Sequence, residues 1–161
     1  MESITIYPYR PGIIGEVVRH HAIYYHGHWD FDARFEVQVS RELSEFINEF
    51  DETRDGFWWA AIDGEFVGAI GVDGSRSGAG QARIRWFIVT ETCQGKGVGA
   101  QLFEHALRFC AERQFEGVYL WTFEGLVAAR KLYERNGFQL VETEKGVDWG
   151  PVIIEQKFEL T

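Results

Sequence analysis

Residues 86–113, WFIVTETCQGKGVGAQLFEHALRFCAER, constrain this chain more than any other stretch. An apolar run leads through a short polar turn into three glycines at alternate positions, Gly95, Gly97 and Gly99, and then into a helical stripe of Val98, Leu102, Ala106, Phe109 and Cys110. A strand end must therefore abut a helix start. The first N–H groups of a helix have no intrahelical partner and lie at the positive end of its dipole. Glycines let an anion approach that backbone with no Cβ in the way. The stretch reads as an anion cradle at the end of a strand.

With 161 residues the chain is read as one domain, 1–161, large enough for a substantial core. Its 45% hydrophobic and 16% aromatic content argue for a folded globule. The formal net charge of -9 argues against a nucleic-acid partner, because neutralising phosphates needs a concentrated basic face. Two cysteines are too few for a disulfide framework and are not spaced as a metal knuckle. Cys110 falls on the stripe with Ala106 and reads as core; Cys93 is either an accessible thiol or a small packed residue. No basic leader opens the sequence and no apolar run reaches the length of a membrane span, so the expected location is the cytoplasm, with no membrane partner.

Taken in order, Ile4–Tyr7 alternates and stops at Pro8, a short strand. Ile14, Val17, Val18, His21 and Tyr25 mark a first helix, ended by the turn 26–30. Asp30 or Asp32 caps a second, whose stripe is Phe35, Val39, Leu43, Phe46, Ile47 and Phe50. Residues 57–62 and 66–72 are strands joined by Asp63-Gly64, a hairpin signal because both turn residues take positive φ. A flexible loop at 73–81 precedes the strand 83–89. After the cradle helix come a strand at 117–122, a helix at 127–136 closed by Gly137, and two antiparallel strands at 138–144 and 153–160. The fold class is α/β, a mixed α+β sheet with helices on both faces, in the order β-α-α-β-β-β-α-β-α-β-β.

The spacing of Gly95, Gly97 and Gly99 is neither the dinucleotide fingerprint nor a P-loop, which needs Lys followed by Ser or Thr. Instead Gln94-Gly95-Lys96-Gly97-Val98-Gly99 resembles the Q/R-x-x-G-x-G/A pyrophosphate loop of the GNAT N-acetyltransferases, and residues 129–138, ARKLYERNGF, resemble that superfamily's A-x-x-L-Y-E-x-x-G-F segment. The likeness covers essentially the whole chain and includes the element order. Tyr7-Pro8-Tyr9-Arg10-Pro11-Gly12, residues 21–25, Arg34-Phe35-Glu36, Leu120-Trp121-Thr122 and the ending 156–160 are similar to the acetyltransferase half of bacterial MarR–GNAT fusion proteins. No winged-helix half accompanies them here, so no DNA-binding role is implied.

The resemblance implies a GNAT acyl-CoA N-acyltransferase fold and acetyl-CoA as co-substrate, with no metal. It implies that the backbone of Phe87, Ile88 and Val89 pairs with the pantetheine arm, and that Gly95, Lys96, Gly97, Val98, Gly99 and Ala100 hold the pyrophosphate. Gln94 braces that loop, and Ala129 and Tyr133 complete the cofactor side. Tyr133 matches the tyrosine that protonates the leaving thiolate; read alone it is equally a packed aromatic. The positions where many relatives carry a Glu base hold Arg85, Trp86 and Trp121, and Leu126 stands where an Asn is usual. His21, Glu36, Glu124 or a water chain is left to accept the amine proton, although His21 on an apolar stripe also reads as a hydrogen-bonded core residue.

Arg85 in a central strand needs an anion: an internal Glu or Asp, or a carboxylate on the acceptor. Tyr25 and Trp121, with Tyr24, Trp29 and Phe31, offer aromatic walls for that acceptor. His20, His21, His26 and His28 lack a companion carboxylate or thiolate set with ligand geometry. The expected activity is direct acetyl transfer to the primary amine of a small molecule. An acyl-CoA-binding sensor without turnover and an enzyme acting on protein N-termini are the alternatives. The last two strands, with Val152-Ile153-Ile154, suit either a homodimer edge or burial within one subunit.

Overall fold

The computed structural model describes residues 3–75 and 80–161; the middle of the loop expected at 73–81 lies outside the described residues. The strands are β1 (Ile4–Tyr7), β2 (Gly56–Ile62), β3 (Glu65–Asp73), β4 (Gln81–Val89), β5 (Gly117–Phe123), β6 (Gln139–Gly146) and β7 (Ile153–Leu160). The helices are α1 (Ile13–Trp29), α2 (Ala33–Asn48), α3 (Val98–Glu112) and α4 (Val127–Arg135), with a 3₁₀ turn at Glu91–Cys93. Their order is the expected one.

The sheet runs β1-β2-β3-β4-β5-β7-β6, and every described pairing is antiparallel except β4 with β5. Its two faces carry separate cores. On one, Ile70, Ile84, Leu120 and Phe158 meet Leu102 and Phe103 of α3 and Leu132 of α4. On the other, Trp59, Ala69 and Trp86 meet Val17 of α1 and Leu43 of α2. Cys110 lies in the first core, where burial pushes its thiol up to about 12, and Cys93 packs at that core's margin.

Local signals held. Asp63 and Gly64 both take positive φ, 51° and 79°, as the hairpin requires. At the end of α4, Gly137 (φ 88°) donates to the carbonyl of Glu134 while Phe138 donates to that of Tyr133, a complete Schellman closure.

Two expectations are corrected, the end of α1 and the place of Phe50, and two open alternatives are resolved. Helix α1 does not end at His26 but runs to Trp29, because Tyr25 and Trp29, one turn apart, both edge onto Phe123 and hold the last turn against the sheet. Asp30 then closes α1 in a left-handed conformation, and Asp32 alone caps α2, accepting from the Arg34 amide at 3.0 Å. Phe50 falls beyond α2 and is exposed, its ring edging onto Phe46. In the terminal hairpin Ile153 is buried in this subunit's own core and β7 is internal, so the sheet edge belongs to β6.

The feature that positions the site is in β4. Ala69 of β3 pairs with Ile88 and Gly71 with Arg85, so Trp86 and Phe87 together oppose Ile70. This bulge holds Trp86 at φ 51°, a conformation disfavoured for a bulky side chain. It sends Trp86 to Phe46 of α2 and Phe87 to Phe103 of α3. Pairing of β4 with β5 stops at Ile84 and Leu120, immediately before the bulge. From there the two parallel strands part.

Candidate active site

The parting strands open a cavity of about 1080 Å³ that runs from the glycine loop through the sheet to α1, α2 and the loop before β7. Over residues 85–89, β4 is paired with β3 on one side only, so the edge facing β5 offers backbone donors and acceptors to the cavity. Phe87, Ile88 and Val89 line it there.

The glycine loop follows. Gln94 donates from Nε2 to the carbonyl of Val89 at 3.4 Å, tying the loop back to the strand end. Gly95 and Gly97 take φ of 84° and 86°, and a Cβ at either would project into open space. Gly97 is the N-cap of α3 and no side chain caps the helix, so the amides of the first turn remain for another acceptor. Gly95, Gly97, Gly99 and Ala100 line the cavity. Val98 is buried with its side chain in the core, so only its backbone serves the loop, and Lys96 lies on the exposed side. The arrangement fits an anion bound against the α3 terminus.

Ala129 and Tyr133 reach the same cavity from α4. Tyr133 is packed by Phe103 at 5.4 Å and Phe158 at 5.7 Å, and burial drives its hydroxyl well above the ordinary phenol range. Tyr25 faces in from α1 and is raised by burial too. Neither hydroxyl is hydrogen-bonded among the described residues, so both are protonated donors at neutral pH.

His21 is buried against the cavity, and its Nδ1 lies 2.8 Å from the Val17 carbonyl. A carbonyl only accepts, so Nδ1 carries the proton and Nε2 is the acceptor. Burial lowers the His21 pKa to about 4 despite that bond, with His20 adding to the effect. The other histidines of α1 go elsewhere: His20 to Glu16, His26 to the Phe31 carbonyl and His28 to Glu91.

Not every expected residue arrives. Glu36 is exposed on the outer side of α2 and Glu124 is exposed at the end of β5; neither lines the cavity. Arg85 and Trp121 do line it. Of the two uses open to Arg85, the structure takes the internal one. Its guanidinium reaches both Glu42 oxygens and Asp73, all at 3.1 Å, and lies over the Trp86 ring.

A model of the acetyltransferase (GNAT) family matches residues 21–138. The chain belongs to this family. Streptothricin acetyltransferase of Escherichia coli is 34% identical over 113 residues, 68% of this chain and 64% of its own length. The N-acetylaspartate synthetase of Danio rerio is 34% identical over 89 residues, 55% of this chain and 31% of its own. This GNAT chain thus spans less than two thirds of either relative. Among solved structures, the ribosomal-protein-alanine N-acetyltransferase of Brucella melitensis superposes with a TM-score of 0.76 at 13% identity, covering 97% of this chain and 98% of that one. The yncA protein of Salmonella typhimurium, solved with its cofactor acetyl-CoA, gives 0.77 at 17%, covering 98% and 93%. These establish the GNAT fold.

Within that fold, sequence reasoning missed the far wall of the cavity: Gln38, Arg83, Glu144, Trp149 and Glu155. Trp149 donates to Gln38 at 2.8 Å, closing the loop before β7 over α2. One signal was present for Arg83, which shares the alternating face of β4 with Arg85. No local pattern brings Glu144 and Glu155 of the last hairpin to this cavity.

Proposed function

We propose that the protein is an acetyl-CoA-dependent N-acetyltransferase that transfers the acetyl group directly to the primary amine of a small molecule. The observation that carries this reading is one cavity uniting a splayed strand edge, an uncapped glycine-bounded helix start and the buried Tyr133 hydroxyl. Residues Gly95 to Ala100 would hold the pyrophosphate through backbone amides, with Gln94 bracing them, and the edge of Phe87, Ile88 and Val89 would pair with the pantetheine arm. Bound there, acetyl-CoA supplies a thioester whose C–S bond breaks as the amine's C–N bond forms.

The remaining work falls to side chains. A strand-edge N–H polarises the carbonyl being attacked. Tyr133, kept protonated by burial, gives its proton to the departing sulfur. An amine that arrives as its ammonium gives one proton to solvent before it attacks, and sheds a second as the C–N bond forms. His21 presents an unprotonated Nε2, and with a pKa near 4 it relays that proton to water and does not retain it. Glu36 and Glu124 drop out of the catalytic set, because both are exposed and neither lines the cavity.

The small-molecule reading is supported by the aromatic lining of Trp29, Phe123 and Trp149 in the cavity, and by the names of two relatives, a streptothricin acetyltransferase and an N-acetylaspartate synthetase. Kinship with MarR–GNAT fusion proteins rests on the motif blocks alone, and no regulatory role is drawn from it.

A thiol-release assay with acetyl-CoA across a panel of amines tests the proposal. Turnover is expected, with kcat lowered about 100-fold in Tyr133→Phe while the KM for acetyl-CoA changes little. Tight acetyl-CoA binding with turnover of no amine would establish the sensor in its place.

A further inference from the structure

Arg83 carries a permanent charge in a mostly buried position, yet makes no hydrogen bond or ion pair among the described residues. Its Nε is the single fully buried side-chain polar atom there with no partner. The two acids that draw on its charge most directly, Glu42 and Asp73, are already engaged. Asp73, its cross-strand neighbour on β3, gives one oxygen to the Ser75 amide and the other to Arg85. Glu42 gives both oxygens to Arg85. Burying a charge with no hydrogen-bonded partner is costly, so a residue kept in this state points to a partner that arrives from outside. Arg83 lies on the cavity wall, where β4 and β5 are still paired, beside Tyr119 and just short of the point where the strands part.

The same far wall also carries the opposite sign. Glu144 and Glu155 are paired residues on β6 and β7, and both line it. Glu155 is pushed up by burial and by the nearby charges of Asp148 and Glu144, with Arg83 opposing them, so a cation would be welcome there.

Resting on the acetyltransferase reading, we propose that Arg83 anchors the acceptor, and that the acceptor is a zwitterionic amino acid whose carboxylate pairs with Arg83 while its ammonium faces the Glu144–Glu155 wall. This is the role that the sequence offered to Arg85. The neighbouring arginine is free for it because Glu42 and Asp73 occupy Arg85 first.

The test compares L-α-amino acids with their α-carboxamides and with dipeptides, using acetyl-CoA and the parent, Arg83→Met and Arg83→Lys proteins. The parent is expected to prefer the free acids by about 10- to 100-fold in kcat/KM, the range of a charge-assisted hydrogen-bonded pair. Arg83→Met should raise the KM for acids by that factor and the KM for carboxamides by much less, so that the preference collapses, and Arg83→Lys should restore part of it. Removing an unpaired buried charge should not lower the melting temperature of Arg83→Met, which separates lost recognition from lost folding.

Equal use of acids and carboxamides by the parent, or an unchanged ratio in Arg83→Met, overturns the proposal and leaves the acetyltransferase reading standing. Should no amine turn over, the acetyltransferase reading fails. In that case quenching of Trp121 and Trp149 fluorescence by the same amino acids decides the proposal: quenching that requires Arg83 supports it, and quenching equal in Arg83→Met overturns it.

Discussion

His21 shows how one side chain couples stability to the site. In the folded chain its pKa is about 4, against an ordinary 6.5, because burial disfavours the charged ring. Between those two values the unfolded chain binds the extra proton and the folded chain does not, so stability is full above pH 6.5 and is lost as pH falls toward 4. From pH 7.5 to pH 5 the loss assignable to this residue is about 2 kcal/mol. Denaturant titrations at both pH values should show the parent losing that much more than His21→Met, in which the dependence is absent. Equal losses would mean that the ring is not desolvated. The same scale explains what the sequence revealed of the chemistry. Tyr133 was identifiable because it sits inside a recurring segment. Arg83 was not, since which of two arginines on one strand face is paired depends on Glu42, which is distant in sequence, and on the loop that orients Asp73.

At the scale of elements, the start of α3 separates a glycine that helps bind from one that merely bends. Gly97 sits at φ 86° with open space where a Cβ would be. An alanine there meets the left-handed penalty of about 1–2 kcal/mol, which lowers the melting temperature of a chain this size by roughly 3–8 °C. Its methyl also enters the space proposed for the pyrophosphate. Gly97→Ala should therefore raise the KM for acetyl-CoA at least about 10-fold. Gly15 is the control. It is exposed within α1, lacks positive φ and has nothing near its would-be Cβ. Gly15→Ala should stabilise the protein by about 0.5–1 kcal/mol in thermal or denaturant unfolding and leave that KM unchanged. The elements themselves were largely readable because their signals are local: Asp63-Gly64 needs only its own backbone, as does the closure at Gly137. The last turn of α1 and the bulge at Trp86 were not, because the packing of Trp29 on Phe123 and of Trp86 on Phe46 decides them.

For the molecule as a whole, the parting of β4 and β5 leaves two halves of one sheet joined only from Gln81–Gly117 to Ile84–Leu120. Above that seam, contact between the halves passes through α1 and α4, as in the packing of Tyr25 and Trp29 against Phe123 and of Tyr133 against Phe87. A ligand that lies along the β4 edge and ends at the α3 terminus touches both halves, and it binds the folded state alone. At 100 times its Kd such a ligand stabilises by about 2.7 kcal/mol, or roughly 5–10 °C in melting temperature. Acetyl-CoA should produce that shift in the parent. Pantetheine, which can pair with the strand edge but has no phosphate for the glycine loop, should produce much less at the same concentration. In Gly97→Ala the acetyl-CoA shift should fall to the pantetheine level. Equal shifts from the two ligands in the parent would show that the α3 terminus holds no anion, and that the strand edge alone does the binding.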